Sequence, residues 1–278
     1  MELKKFVKLS IHEDVREGDH STISCINSRD KGSAQLLVKE EGIIAGIEVA
    51  KEIFKTFDSG IEFEAIKADG DIVNNGDIVF KVHGSSRSLL TIERLVLNVM
   101  QRMSAIATLT KKYVEKLSGY KTQILDTRKT TPLNRFLEKE AVRIGGGINH
   151  RFGLYDMIML KDNHIDFAGG IKEAIIKANQ YIKNNNLDLK IEIETRNLNE
   201  LNEVINHGGV HRIMLDNFNF KDLKIAVSRI NGLFESEASG GINLKTVKEY
   251  AECGVDFISV GALTHSVHNM DLSLKAIS

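Results

Sequence analysis

After Gly119 the chain alternates between short apolar runs and amphipathic helical segments of about 10 to 15 residues. This alternation is typical of parallel βα units, because two parallel strands need a crossover connection that a helix usually supplies. The six runs are Thr122–Leu125, Met157–Leu160, Leu189–Ile193, Arg212–Leu215, Leu233–Glu235 and Phe257–Val260. The sequence therefore predicts an α/β fold with six parallel strands, arranged as an open doubly wound sheet or as a barrel.

The region before this alternation has a different pattern, which indicates a separate mixed α/β part of the chain. Ala34–Val38 and Asp77–Val82 have the apolar character of strands, and Ile47–Phe57 repeats apolar residues at helical spacing. The same spacing then continues over Ser88–Leu117. We predict one long helix there, or two helices with a break near Ser104.

Polar residues follow each predicted parallel strand and help to distinguish the two arrangements. In a barrel the carboxyl ends of all strands meet at one mouth, whereas an open sheet binds ligands only at its switch point. The residues at these ends are Asp126–Lys129, Lys161–His164, Glu194, Asp216–Asn217, Ser239–Gly241 and Gly261–Ala262. Because all six ends carry groups suited to binding or catalysis, the pattern favours a barrel.

Cations are concentrated near two of these ends, in a chain whose formal net charge is only -1. Arg128 and Lys129 follow the first strand, and Lys161 follows the second, with His150 and Arg151 shortly before it. Arg binds a carboxylate through two parallel hydrogen bonds, and Lys supplies a point charge. We expect a small polyanionic ligand; the alternative is a solvated charged face. The balanced charge argues against a nucleic-acid-binding module.

Glycine-containing turns after two further strands predict phosphate binding. Ser239–Gly241 precedes a predicted helix, whose free N–H groups suit a phosphate. Gly261–Ala262 offers a second turn of this kind, and two adjacent turns form a frequent phosphate site of barrel enzymes. Either turn alone is also compatible with a loop that binds no ligand. The Gly145–Gly147 run elsewhere in the chain is not a dinucleotide fingerprint, because it lacks the GxGxxG spacing and no such turn follows the first strand.

Carboxylates at neighbouring strand ends are typical of a magnesium site. Glu192 and Glu194 lie two residues apart on one predicted strand, so their side chains share a face, and Asp216 ends the next strand. Mg²⁺ usually takes one or two carboxylates together with substrate phosphate oxygens. The alternative is internal salt bridging to Lys161 and its neighbours.

The remaining metal-binding residue types predict no zinc centre. Cys25 and Cys253 are too few for a disulfide framework or a cysteine-rich zinc site, which fits a reducing compartment. His265, His268 and Asp271 lack the HExxH motif or a cysteine partner. The sequence also has neither a signal-peptide core nor an apolar stretch near the roughly 18 residues of a membrane span. We therefore expect a cytoplasmic protein without membrane or nucleic-acid partners.

Several motifs together resemble the quinolinate phosphoribosyltransferase family. They are Glu93-Arg94-Leu-Val-Leu-Asn98, Asp126-Thr-Arg-Lys-Thr-Thr-Pro132, Gly145-Gly-Gly-Ile-Asn-His-Arg151, Lys161-Asp-Asn-His164, Met214-Leu-Asp-Asn217, Glu237-Ala-Ser-Gly-Gly-Ile242 and Val260-Gly-Ala-Leu-Thr-His-Ser266. The resemblance covers essentially the whole chain. It implies the reaction of quinolinate with phosphoribosyl pyrophosphate and Mg²⁺ to give nicotinate mononucleotide, CO₂ and pyrophosphate, a step of NAD biosynthesis.

The resemblance also implies the domain organisation. An N-terminal α/β sandwich domain would comprise residues 1–104, joined by the C-terminal segment 267–278, and an incomplete α/β barrel of about six strands would comprise residues 105–266 and carry the site. The family further implies a homodimer in which Arg94 completes the neighbouring subunit's site.

The resemblance assigns roles to residues at the strand ends. The quinolinate-binding set would be Arg94, Arg128, His150, Arg151 and Lys161. The catalytic set would be Lys129, Lys161, Glu194 and Asp216, of which Glu194 and Asp216 would also hold Mg²⁺ with the substrate pyrophosphate. The 5′-phosphate would lie against Ser239, Gly240, Gly241, Gly261 and Ala262. Because losing one partner of a buried ion pair typically costs about 3–5 kcal/mol, we expect nicotinate, which has one carboxylate fewer, to be rejected by roughly a hundredfold or more.

Three places depart from the family's usual motif. Leu133 and Asn134 stand where it has Gly-Leu after Pro132, Glu140 replaces an aromatic residue, and Ala105 replaces Gly. None of these is a predicted ligand, although the first change alters the loop beside the predicted cation cluster. Two alternatives stay open: a molybdenum-utilisation-associated relative of the same fold, and a catalytically silent barrel that binds phosphorylated ligands.

Overall fold

A computed structural model describes residues 2–277, and the chain forms two compact units. The first unit contains the residues up to 111, residues 131–146 and the residues from 266 onward, and the second contains residues 112–130 and 147–265. Residues 131–146 interrupt the second unit in sequence yet group with the first by their contacts. The predicted boundary at 104/105 stays a prediction.

Most connections between the elements are short, and the longest irregular segment between two named elements covers residues 145–157. Those through residue 116 are α1 (Leu3–Val15), α2 (His20–Cys25), β1 (Lys31–Val38), β2 (Gly42–Ile43), α3 (Ile47–Phe57), β3 (Glu62–Ala65), β4 (Ile72–Val73), β5 (Ile78–Ser85) and α4 (Ser86–Lys116). Those that follow are β6 (Gln123–Leu125), α5 (Arg135–Ile144), β7 (Ile158–Leu160), α6 (Asp162–Ala168), α7 (Ile171–Asn184), β8 (Ile191–Thr195), α8 (Leu198–His207), β9 (Arg212–Asp216), α9 (Phe220–Ile230), β10 (Glu235–Ser239), α10 (Val247–Glu252), β11 (Phe257–Ser259), α11 (Ala262–His265) and β12 (Leu272–Ile277). No helix among residues 2–277 is both long enough and apolar enough to cross a membrane.

The first unit is built on an antiparallel sheet in the order β12-β1-β5-β3. Alternate residues of β1, namely Ala34, Leu36 and Val38, are buried, as expected for a strand with one face on a core. The rings of Phe54 on α3 and Phe80 on β5 are also buried and pack edge-on with their centroids 5.9 Å apart. The mixed α/β character predicted for this region is confirmed.

The long apolar pattern forms one helix, α4, without a break near Ser104. Ser104 is buried, and its hydroxyl accepts the N–H of Ala45 at 2.9 Å and lies 3.2 Å from the carbonyl oxygen of the same residue. The serine therefore satisfies the main chain just before α3, and α4 continues through it.

The second unit contains a parallel sheet in the order β6-β11-β10-β9-β8-β7. Each neighbouring pair is parallel. Within the described part of the chain this confirms the six predicted strands, and the arrangement is consistent with an incomplete α/β barrel whose edges are β6 and β7. Ile148 forms an isolated parallel bridge with Leu125, so the segment that carries His150 runs beside β6.

Two of the predicted strand positions need correction. The sequence predicts a strand over Leu233–Glu235, but β10 begins at Glu235 and ends at Ser239. Leu233 is 68% exposed, whereas Ser236 and Glu237 are buried within the strand, so an apolar pattern could not locate it. Glu194 was expected just beyond its strand but lies inside β8.

The departures from the family motif have simple structural settings. Leu133 has a φ of 66°, in the left-handed region that a glycine favours, and its side chain is 68% exposed. Glu140 lies on α5 and forms an ion pair with Arg143 one turn later. Ala105 is buried within α4. Only the Leu133 position retains a backbone conformation that its side chain disfavours.

Gly145 ends α5 and allows close packing against α4. A Cβ atom at this position would lie 2.4 Å from the carbonyl oxygen of Ala107 and 2.7 Å from Cβ of Thr110. Its φ of −73° suits any residue, so the close approach and not the conformation requires glycine. The first glycine of the Gly145–Gly147 run therefore has a packing role.

We expect Gly145→Ala to destabilise the protein by about 1–3 kcal/mol, because the added methyl group must displace helix main chain. The measurement is the midpoint of urea denaturation. Gly60→Ala is the matched control, since its Cβ would meet only the flexible Asp58 side chain, at 3.2 Å. Equal stability of the two variants would contradict the packing role.

Candidate active site

A cavity of about 840 Å³ opens at the carboxyl ends of the parallel strands in the second unit. Its volume is typical of small-molecule sites. The predicted site residues that line it are Arg128, Lys129, His150, Arg151, Lys161, Glu194, Asp216, Ser239, Gly240, Gly241, Gly261 and Ala262. Parallel pairing brings these residues together, because it places every strand's carboxyl end at the same mouth.

Four of the lining side chains are cations, and two of them are close enough to affect each other. Arg151 donates from Nη1 to the carbonyl oxygen of Met157 at 3.2 Å. Burial lowers the pKa of Arg151, and the positive charge of Arg128 lowers it further. Because like charges in a partly buried site repel, an anion that contacts both guanidinium groups gains from both. The cavity therefore suits a ligand with more than one negative charge.

The carboxylates Glu194 and Asp216 lie on the neighbouring strands β8 and β9. Burial raises the pKa of Glu194, and the negative charge of Asp216 raises it further, whereas Lys161 opposes the shift. Nζ of Lys161 is 3.6 Å from Oε2 of Glu194, and Asp216 accepts a hydrogen bond from Asn217 at 2.6 Å. The predicted salt bridge to Lys161 is thus present. The two carboxylates also raise each other's energy, a repulsion that a divalent cation would relieve.

The Ser239–Gly241 turn is held by Asn217. The N–H of Asn217 donates to the carbonyl oxygen of Ser239 at 2.9 Å, and a Cβ atom at Gly240 would lie 2.1 Å from Oδ1 of Asn217. Gly240 and Gly241 have φ values of 102° and 62°. Only glycine adopts the φ of Gly240 readily and also leaves room for the side chain of Asn217.

The helix expected directly after this turn begins later than predicted. A turn over residues 243–246 comes first, in which the N–H of Thr246 donates to the carbonyl oxygen of Asn243 at 3.0 Å. α10 then runs only from Val247 to Glu252. The prediction of a helix start at the turn is wrong, because Oδ1 of Asn243 accepts the backbone N–H of Lys245 at 3.0 Å and stabilises this turn before the helix. The glycine turn itself lines the cavity.

Gly261 determines how Lys129 lies in the cavity. A Cβ atom at Gly261 would be 3.0 Å from Cδ of Lys129, so the aliphatic part of the lysine side chain lies against bare main chain. The hydroxyl of Thr264 donates to the carbonyl oxygen of Lys129 at 2.7 Å. The short helix α11 thereby fixes the main chain of the residue predicted to be catalytic.

A buried polar cluster lies inside the sheet, where His150 meets Glu192 of β8 and Glu237 of β10. Nε2 of His150 is 2.9 Å from Oε2 of Glu192 and 3.3 Å from Oε2 of Glu237. Arg212 of β9 donates to Glu237 at 3.1 Å. Burial raises the pKa of Glu192 to about 7, and the charge of Glu237 contributes in the same direction. His150 and Glu237 also line the cavity, so this cluster forms part of its wall.

Among the titratable and amide side chains that line the cavity, three had no predicted binding or catalytic role: Asn217, Glu237 and His265. Glu237 lies two residues before Ser239 on one strand, so the reasoning that paired Glu192 with Glu194 would have found it. Asn217 was noted only as the neighbour of Asp216. His265 has no local sequence pattern that separates it from a surface histidine.

Arg94 has a different position from the other predicted site residues, all of which the structure describes. It lies on α4 in the first unit, is exposed, and lines a second cavity of about 640 Å³ together with Glu13 and Asp14. Its predicted role in a neighbouring subunit stays a prediction.

The arrangement defines the class of the protein. The mouth of the parallel α/β barrel combines clustered cations, paired carboxylates and two glycine turns. This combination is typical of an enzyme that binds a carboxylate ligand and a phosphorylated ligand together.

Comparison with known proteins agrees with this class. The family model of the quinolinate phosphoribosyl transferase N-terminal domain matches residues 19–104, and that of the C-terminal domain matches residues 106–275. The chloroplastic carboxylating nicotinate-nucleotide pyrophosphorylase of Arabidopsis thaliana is 45% identical over 99% of this chain and 82% of its own length. A Bacillus subtilis protein named probable carboxylating nicotinate-nucleotide pyrophosphorylase is 42% identical over 99% of this chain and 93% of its own length. The crystal structure of NadC from Streptococcus pyogenes has a TM-score of 0.93 at 38% identity, covering 99% of this chain and 97% of that one.

The chain therefore belongs to the quinolinate phosphoribosyltransferase family, as its motifs predict. The fold implied by that resemblance, an N-terminal α/β domain and an incomplete barrel, is confirmed.

We expect Gly240→Ala to weaken the binding of phosphoribosyl pyrophosphate by about tenfold or more, because the new methyl group would displace Asn217 and deform the turn. Isothermal titration calorimetry measures this directly. Gly232→Ala is the control, since its φ of 74° is also positive, nothing lies within 4 Å of its Cβ position, and it lies before β10, at the opposite end of that strand from the turn. Unchanged affinity in Gly240→Ala would show that the turn does not contact the ligand.

Proposed function

We propose that this protein transfers the phosphoribosyl group of phosphoribosyl pyrophosphate to quinolinate with loss of CO₂, giving nicotinate mononucleotide for NAD biosynthesis. The observation that carries this proposal is the single cavity in which Arg128, Arg151 and Lys161 converge with Glu194 and Asp216. Both ligand classes that the reaction requires, a dicarboxylate and a phosphorylated sugar, find suitable groups there.

Quinolinate would bind through the cations. Its two adjacent carboxylates match the neighbouring guanidinium groups of Arg128 and Arg151, whose mutual repulsion a dianion relieves. Lys161 would supply a further positive charge by exchanging its contact with Glu194, 3.6 Å away, for a substrate carboxylate. A ligand with one carboxylate would leave part of this positive charge uncompensated.

Phosphoribosyl pyrophosphate would bind beside it, with its 5′-phosphate against the glycine turns of β10 and β11. Lys129, whose stem lies on Gly261, would contact the pyrophosphate. Glu194 and Asp216 would hold Mg²⁺ together with pyrophosphate oxygens, which is the usual donor set of that ion. The ion would supply positive charge that compensates the leaving pyrophosphate.

The chemistry follows from the two ligands. The pyridine nitrogen attacks the anomeric carbon as the bond to pyrophosphate breaks, and the ribose carries positive charge in the transition state, as in glycoside chemistry. Glu194 and Asp216 would stabilise that charge. The nitrogen is then quaternary, so it accepts the electron pair left by departing CO₂, and a proton replaces the carboxylate. No separate decarboxylation cofactor is needed.

The test is product formation from quinolinate, phosphoribosyl pyrophosphate and Mg²⁺, with nicotinate in a parallel reaction. We expect nicotinate mononucleotide and CO₂ from quinolinate, with the nicotinate reaction slower by about a hundredfold or more. Lys161→Ala should lose most activity, whereas Lys190→Ala, just before the opposite end of β8, should retain it. Product from neither substrate would contradict the proposal and favour the catalytically silent barrel or the molybdenum-associated relative.

A homodimer completes the proposal, with Arg94 of the partner subunit added to the quinolinate site. Arg94 is exposed on α4 and belongs to the first unit, which supports a role outside its own chain's cavity. A cytoplasmic location also stays a prediction, since the plant relatives are named as chloroplastic or mitochondrial proteins.

We expect Arg94→Ala and Lys161→Ala to be inactive alone and to complement each other when mixed and reassembled. Random mixing makes half of the dimers mixed, and each mixed dimer has one intact site, so about a quarter of wild-type activity should return. Lys116→Ala mixed with Lys161→Ala should keep about half of wild-type activity with or without subunit exchange, so it controls for activity lost during the procedure. Absence of complementation in confirmed mixed dimers would refute the shared site.

We also expect Glu194→Gln and Asp216→Asn to raise the Mg²⁺ concentration needed for half-maximal activity by about tenfold or more, because each removes one anionic ligand. Glu203→Gln, on the exposed face of α8, is the control. An unchanged Mg²⁺ requirement in both site variants would contradict the assignment.

A further inference from the structure

Both ring nitrogens of His150 have partners inside the protein. Nε2 lies 2.9 Å from Oε2 of Glu192 and 3.3 Å from Oε2 of Glu237. Nδ1 accepts a hydrogen bond from the N–H of Arg151 at 2.6 Å. The side chain is 4% exposed. The ring therefore reaches the cavity as part of its wall and directs its polar atoms into the protein.

This arrangement specifies one tautomer of the ring. Burial disfavours the charged ring, although the two carboxyl groups outweigh that effect and would raise the pKa of His150 to about 9. A second ring proton on Nδ1, however, would meet the N–H of Arg151 at a nitrogen separation of 2.6 Å. Two donors cannot bond to each other, so the backbone contact requires a neutral ring with its proton on Nε2, facing the carboxyl groups.

The main chain next to His150 is held from both sides. The N–H of His150 donates to Oδ1 of the buried Asp126 at 2.8 Å, and the following N–H, that of Arg151, donates to Nδ1. The guanidinium group of Arg151 in turn donates to the carbonyl oxygen of Met157. These three hydrogen bonds thus fix the main chain of Arg151 and the position of its guanidinium group.

We propose that His150 is a positioning residue: Glu192 and Glu237 orient its ring so that Nδ1 holds the main chain of Arg151 and fixes that guanidinium group for a substrate carboxylate. This inference rests on the proposed function, because it takes quinolinate as the ligand of Arg151. It differs from the role implied by the family resemblance, in which His150 itself contacts quinolinate. It also gives a function to Glu192 and Glu237, which contact His150 from two different strands.

Two substitutions distinguish the role of Nδ1 from that of Nε2. In His150→Asn the amide oxygen takes the place of Nδ1 and can still accept the Arg151 N–H, whereas in His150→Gln the terminal amide takes the place of Nε2 and the Nδ1 acceptor is lost. We expect His150→Gln to raise the Michaelis constant for quinolinate by about tenfold or more, and His150→Asn by about threefold or less. The Michaelis constant for phosphoribosyl pyrophosphate should change by less than about twofold in both.

His211 is a matched control within the same unit. Its Nδ1 also accepts a backbone N–H, that of Ile191 at 3.0 Å, but it lies just before β9, at the amino end of the strands and away from the cavity. His211→Gln should leave the Michaelis constant for quinolinate unchanged. Better retention by His150→Gln than by His150→Asn would overturn the proposal, because it would mean that Nε2 contacts the substrate. Equal losses in both variants would overturn it as well.

Nitrogen NMR of histidine-labelled wild-type protein measures the tautomer of His150 in the unsubstituted chain. We expect Nδ1 of His150, assigned by its disappearance in His150→Asn, to be unprotonated at neutral pH and to stay so when quinolinate is added. A protonated Nδ1 in the free protein would overturn the proposal. Because that spectrum needs no ligand, it separates this inference from the proposed function, which fails if the active-site assay gives no product.

Discussion

Parallel pairing of the six strands in the second unit determines where the chemistry lies. Each strand reaches the same mouth with its carboxyl end, so residues far apart in sequence share one cavity. The helices between strands only need to bury an apolar stripe, as Leu201 and Val204 of α8 do. The demands of folding and of binding are therefore met by different residues of the same βα units.

The site depends on charges that would repel one another in isolation. Burial and then the charge of Arg128 lower the pKa of Arg151, and burial and then the charge of Asp216 raise the pKa of Glu194. Arg151 is held by its hydrogen bond to the carbonyl oxygen of Met157, and Glu194 and Asp216 are held by the pairing of β8 with β9. Under the proposed function, a substrate dianion would relieve the first repulsion and a metal-bound pyrophosphate the second. Both substrates would then be held next to each other in one cavity, which is what proximity catalysis requires.

Periodicity predicted the elements whose packing is apolar and failed where polar residues are buried. Ile47–Phe57 was predicted as a helix and forms α3 with those bounds, because its apolar stripe is uninterrupted. β10 was misplaced because its buried face includes Ser236 and Glu237, which a hydrophobic pattern ignores. The late start of α10 depends on local bonds of Asn243, which apolar spacing does not reveal.

The site was more predictable than the strand bounds. A residue near the carboxyl end of a strand lies at the mouth even when the predicted end of that strand is wrong by one or two residues. Glu194, for example, lies in β8 and not beyond it, yet still lines the cavity. What the sequence could not provide is the partner of each group. The contact of His150 with Glu192 and Glu237 joins three segments across the interior of the sheet, and no local pattern encodes it.

The central claim is that the clustered cations select a dianion before any reaction takes place. Calorimetric titration of quinolinate and of nicotinate into the protein, without phosphoribosyl pyrophosphate, tests it most directly. The account predicts that quinolinate binds more tightly by about a hundredfold or more, and that the difference shrinks as salt rises. Equal affinities for the two pyridine acids would contradict it.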